Sequence, residues 1–74
     1  MNFKYIVISN DYSTESESRI GYGIAAAEEE KILESVCDLT PDLERIEHLV
    51  RLCNEHKLEL VHLKDVAEDF VLSE

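Results

Sequence analysis

The sequence predicts an α+β domain: a three-stranded antiparallel β-meander packed by one long helix and a short C-terminal helix, in the order β-β-β-α-α. Three observations predict it. Residues 40–57, TPDLERIEHLVRLCNEHK, repeat apolar side chains at helical spacing behind a start signal. Two earlier stretches, NFKYIVIS and RIGYGIAAA, are rich in β-branched and aromatic residues or alternate large side chains with small ones. Leu63, Val66, Ala67 and Phe70 then mark a shorter helical face near the C-terminus.

Residues 2–9 are too short and too β-prone for a helix and read as the first strand, with Phe3, Tyr5 and Val7 on one face and Ile6 and Ile8 on the other. Residues 10–18, NDYSTESES, are polar and turn-forming and link this strand to the next. The Ser/Glu pattern of residues 13–18 suits an acidophilic kinase, but a solvated hairpin tip is the simpler reading. In residues 19–27, Ile20, Tyr22, Ile24 and Ala26 alternate with small residues, a second strand. Gly21 and Gly23 leave room for another backbone or a helix to approach. They do not make a phosphate-cradling loop, because no third glycine, lysine or Ser/Thr follows at the needed spacing.

Residues 25–36, AAAEEEKILESV, admit two readings. Propensity favours a helix. Architecture favours a strand, since a lone hairpin is marginal and a third strand gives the long helix a sheet to lie on. The expectation is therefore a turn over residues 29–31 and a third strand over 32–38.

The long helix has Thr40 as its expected N-cap and Pro41 at its first position, where a missing N–H costs nothing. Asp42 and Glu44 complement the positive end of its dipole. Leu43, Ile46, Leu49, Val50 and Cys53 fall within an arc of roughly 120°, opposite Glu44, Glu47, His48, Arg51 and Glu55. A short apolar connection over residues 58–61 leads to the final helix over 62–72, with Asp65 in its first turn.

The chain has 74 residues, which makes one domain over 1–74 with a small core. With two cysteines and no disulfide framework to compensate, self-association is expected. The net charge of −10, from 17 acids against 7 bases, argues against nucleic acid and against an anionic membrane surface, and permits a basic protein partner. Residues 28–42 hold six of the acids and one lysine, residues 58–74 five and one lysine, while 43–57 balance to zero. Neither a secretory signal nor a membrane-length apolar run is present, and the cysteines read as free thiols in a reducing cytoplasm.

The sharpest chemical constellation is His62, Asp65 and Asp69, which share one stripe of the C-terminal helix. Such a stripe can bind a divalent cation, and it is also what the wet side of an amphipathic helix looks like in an acidic protein. Cys53 and His56 form a C-x2-H pair, with Cys37 and His62 as conceivable further ligands, but a structural zinc site needs two tight pairs. Cys53 lies in the middle of the apolar face and is expected to pack as a small hydrophobe, as is Cys37 in the sheet. No nucleophile elbow or supported Cys–His pair appears, so neither an enzyme nor a cofactor is expected.

The segment HLKDVAEDF, carrying His62, Asp65, Val66, Glu68, Asp69 and Phe70, resembles a family of short bacterial proteins of uncharacterised function. Tyr22-Gly23-Ile24 ahead of an acidic hairpin adds to the resemblance, which spans the larger part of the chain but not the N-terminal loop. It implies the order strand–strand–strand–helix–helix, favouring the strand over residues 32–38, and it implies no activity. The leading expectation is a non-catalytic cytoplasmic interaction or regulatory protein with an acidic binding surface, self-associating through the strand face that the helix leaves uncovered. The alternative, from a different class, is a divalent-cation or small-ligand binder using His62, Asp65 and Asp69.

Overall fold

Three strands and two helices follow one another along the chain in a computed structural model that describes residues 3–12 and 14–73. The strands are β1 (Lys4–Asp11), β2 (Ile20–Glu28) and β3 (Lys31–Thr40), forming one antiparallel sheet in the order β1-β2-β3. Helix α1 (Leu43–Glu55) follows, then a single 3-10 turn (Leu60–His62) that runs into α2 (Leu63–Leu72). The expected α+β meander is therefore the observed architecture, and residues 31–36 are strand despite their helical propensity. Asn2 of the expected first strand and Ser13 of the Ser/Glu loop lie outside the described residues.

β1 and β2 pair without interruption from Lys4↔Ala27 to Asp11↔Ile20. The β2–β3 ladder is interrupted twice, between Tyr22 and Ile24 and between Ala26 and Ala27. At the first interruption β3 places extra residues opposite Gly23, and Asp38 takes φ 55°. Gly23 is required there, since a Cβ would run into the Val36 carbonyl oxygen and the Cys37 Cα. The close approach foreseen for this glycine is thus made by the backbone of β3. The β2–β3 turn is tighter than expected, two residues rather than three, with Glu29 at φ 57°.

The start of α1 differs from expectation. Thr40 remains in β3, paired with Tyr22, and its hydroxyl accepts a hydrogen bond from the Asp42 N–H at 3.1 Å. The cap is Asp42, whose carboxylate accepts from the Glu44 N–H at 3.0 Å. Asp caps a helix as well as Thr does, and a β-branched residue is at home in the ladder, so the boundary moves two residues on. At the other end the helix stops before Lys57, which takes φ 49° while its N–H reaches the Asn54 carbonyl and the Leu58 N–H reaches that of Cys53. This is a Schellman termination with lysine in the place glycine usually holds.

Both helices lie on one face of the sheet. Tyr5, Ile24, Ala26 and Leu39 from the strands meet Ile46, Leu49, Val50 and Cys53 of α1 and Leu63 and Ala67 of α2 in the buried core. Phe3, Val7, Val36, Val66 and Phe70 pack around it. Leu43, expected on the buried arc, is the first helical residue and stays 43% exposed.

Candidate interaction surface

Because side chains alternate across a strand, the face opposite the helices is defined by register. Ile6 stands beside Ala25 and Ser35, and Lys4 beside Ala27 and Ile32, while Ile8 is paired with Gly23. Ala25 is fully buried between its flanking strands, Ile6, Ile8 and Ala27 are half-buried, and Ile32 remains 50% exposed. One end of this face is closed. A Cβ on Gly21 would meet the Asp38 carboxylate and the Tyr12 ring, so both side chains lie over that glycine. Arg19 stacks on the Tyr12 ring at 5.3 Å and pairs with Asp38 at 3.2 Å, while Asn10 donates to the Tyr12 hydroxyl at 3.2 Å. What remains open is an apolar patch of Ile6, Ile8, Ala27 and Ile32, bordered by Lys4 and the neutralised Arg19–Asp38 pair. On a chain of net charge −10 this is an unusually uncharged surface.

The acids lie elsewhere. Glu29 and Glu30 form the exposed β2–β3 turn, and Asp65, Glu68 and Asp69 stand exposed on α2. Lys64 reaches Glu34 at 3.7 Å, tying α2 to β3.

At the C-terminal end of α1 a recess of about 600 Å³ is lined by Phe3, Tyr5, Cys53, Asn54, Lys57 and Leu58, among others. The Asn54 amide bonds both main-chain groups of Tyr5, accepting from its N–H at 2.8 Å and donating to its carbonyl at 2.9 Å. The Tyr5 hydroxyl donates to the Leu58 carbonyl at 2.7 Å, and its ring meets Phe3 edge to face at 5.5 Å. Burial pushes the Tyr5 phenol above its ordinary range, with Cys53 and Glu34 adding to the effect. Burial likewise pushes the Cys53 thiol up, which keeps it protonated and a poor nucleophile at neutral pH.

Of the residues singled out for chemistry, His62 closes the 3-10 turn and is exposed, as are Asp65 and Asp69 on α2. Cys53 is buried, as expected, whereas His56 is the exposed C-cap of α1. Cys37 departs from expectation. It sits in β3 at the interruption opposite Gly23, and it is exposed rather than packed. Among the described residues no three His, Cys, Asp or Glu side chains are gathered so as to hold a metal ion. Sequence reasoning missed Asn54 and the Tyr12–Arg19–Asp38 cluster. For Asn54 a signal existed, a poor helix former beside the apolar arc near a helix end. For the cluster there was none, since it joins residues from three separate segments.

Fold and surface together define a small α+β domain with helices on one side of a three-stranded sheet and an apolar, nearly uncharged patch on the other. No helix among the described residues is long and apolar enough to cross a membrane. The chain belongs to the family of unknown function DUF6514, which matches residues 1–73. No curated protein and no solved structure matches it.

Proposed function

We propose that this is a non-catalytic interaction or regulatory protein of the cytoplasm, which self-associates through the uncovered sheet face and offers its acidic surface to a basic protein partner. One observation carries the reading: the patch of Ile6, Ile8, Ala27 and Ile32 is apolar and nearly free of charge on a strongly acidic chain. Apolar surface favours contact, and the acids around it disfavour indiscriminate contact, so the chain is kept soluble while one face stays adhesive. The same acids, on the β2–β3 turn and α2, suit Lys- or Arg-rich surfaces. A buried, protonated Cys53 supports a packing role for the thiol rather than a catalytic one.

Size-exclusion chromatography with light scattering tests self-association, with Ile32→Glu as the control because that side chain is half exposed and outside the core. The wild type is expected to reach a higher mass than Ile32→Glu at the same concentration. A clean wild-type monomer at high micromolar concentration would count against the proposal. For the partner, capture from the host should weaken when Glu29 and Glu30 are both changed to Gln.

A further inference from the structure

The two edges of the sheet are built differently. β3 carries two interruptions of its ladder and three charges, Lys31, Glu34 and Asp38, the usual devices that stop an edge from recruiting another strand. β1 has none of these between its ends. Its ladder with β2 is regular throughout, and Tyr5-Ile6-Val7-Ile8-Ser9-Asn10 contains no charge and no proline.

The Asn54 contact fixes which main-chain groups face outward. Tyr5 makes its bonds to Asn54 on the side away from β2, so Val7 and Ser9, two and four residues on in an uninterrupted strand, point their N–H and C=O groups the same way. Asn54 occupies the position that a neighbouring strand would take at Tyr5 and leaves the rest of the edge to other partners.

We infer that the Val7–Ser9 edge of β1 pairs antiparallel with the same edge of a second copy of this chain. The stretch complements itself, since antiparallel self-pairing about Ile8 sets uncharged residues against uncharged residues throughout 6–10. Two chains of −10 repel over most of their surfaces, but they can meet along this uncharged stretch. With Asn54 standing at Tyr5 the paired stretch stops short of that residue, so the charged ends of the strand, Lys4 and Asp11, lie outside it. A two-fold axis at Ile8 sets Val7 against Ser9 of the other copy, each such pair exchanging two hydrogen bonds, and it places the two Ile8 side chains together. This main-chain contact along the edge goes beyond the face contact proposed above and leaves Ala27 and Ile32 of that face open, so a chain using both assembles beyond the dimer.

The test reads the main chain directly. Amide exchange of the wild type is followed by NMR at about 1 mM and about 20 µM, a range that spans weak association. The amides of Val7 and Ser9 are expected to slow by roughly 10-fold or more at the higher concentration. In the Ile32→Glu background, where the face contact is removed, a two-chain mass is expected to persist and to be lost on adding Ser9→Pro. That change deletes an outward-facing N–H and leaves the β2 ladder intact. The inference is overturned if both amides exchange equally fast at the two concentrations. It is overturned equally if a folded Ser9→Pro chain keeps the parent mass, or if protection at low concentration appears only when host extract is added, which assigns the edge to a foreign strand. Should Ser9→Pro fail to fold, the wild-type exchange result decides.

Discussion

Asn54 holds Tyr5 by both main-chain groups, at 2.8 and 2.9 Å, across 49 residues of sequence. The side chain of a helix residue thus stands where a fourth strand would begin, and it fastens the end of α1 to the rim of the sheet. Asn54→Ala removes both bonds and exposes the edge at Tyr5. The expected loss is about 2 kcal/mol, from two hydrogen bonds of about 1 kcal/mol each, read from urea denaturation. Asn54→Asp keeps an acceptor for the N–H but faces the Tyr5 carbonyl with a charge, and should lose as much or more.

Lys57 adopts a left-handed conformation that glycine takes without penalty. Lys57→Gly should therefore stabilise the protein by up to about 1 kcal/mol, the relieved strain being partly offset by a more flexible unfolded chain. Thermal melts of the pair check this. A loss of stability would mean that the exposed lysine stem contributes packing at the recess it lines.

The two glycines of β2 should differ in tolerance. At Gly23 an added methyl meets β3 backbone, which cannot swing aside, so Gly23→Ala should cost about 2–3 kcal/mol. At Gly21 the obstacles are the Asp38 carboxylate and the Tyr12 ring, which are side chains and can shift. Gly21→Ala should cost about 1 kcal/mol and disturb the Arg19–Asp38 pair first. Denaturant midpoints rank the two.

Stability should decline in alkali. Tyr5 and Cys53 both hold their protons more tightly in the folded chain than in the unfolded one. Their contribution is intact below the unfolded values, about 8.5 for Cys and about 10 for Tyr, and is lost as pH rises through the higher folded values. The unfolded chain releases protons first, so the melting temperature should fall from about pH 8.5 upward. Tyr5→Phe should flatten the upper part of this decline, while costing about 1 kcal/mol at neutral pH through the lost bond to the Leu58 carbonyl. A decline of unchanged slope in Tyr5→Phe would assign it to other groups.

Element order was legible because each segment carries a local signal: alternation in β2, helical spacing in α1 and α2. The third strand was harder, since residues 25–36 have helical propensity and become strand through pairing with β2, a tertiary effect. The cap moved from Thr40 to Asp42 because both residues can cap and only the length of the β2–β3 ladder decides between them. That an uncovered face would exist followed from counting layers. Its boundary did not, because the Tyr12–Arg19–Asp38 closure depends on a left-handed residue in β3 that no local pattern announces.

Self-association is proposed first of all for the uncovered face. Its most direct test is the light-scattering mass of the wild type beside Ile32→Glu, from low to several hundred micromolar. The wild type should rise above the mass of one 8.5 kDa chain as concentration increases, while Ile32→Glu, equally stable, should lag well behind. A wild type that holds the one-chain mass throughout, or an Ile32→Glu chain that associates equally well, would contradict it.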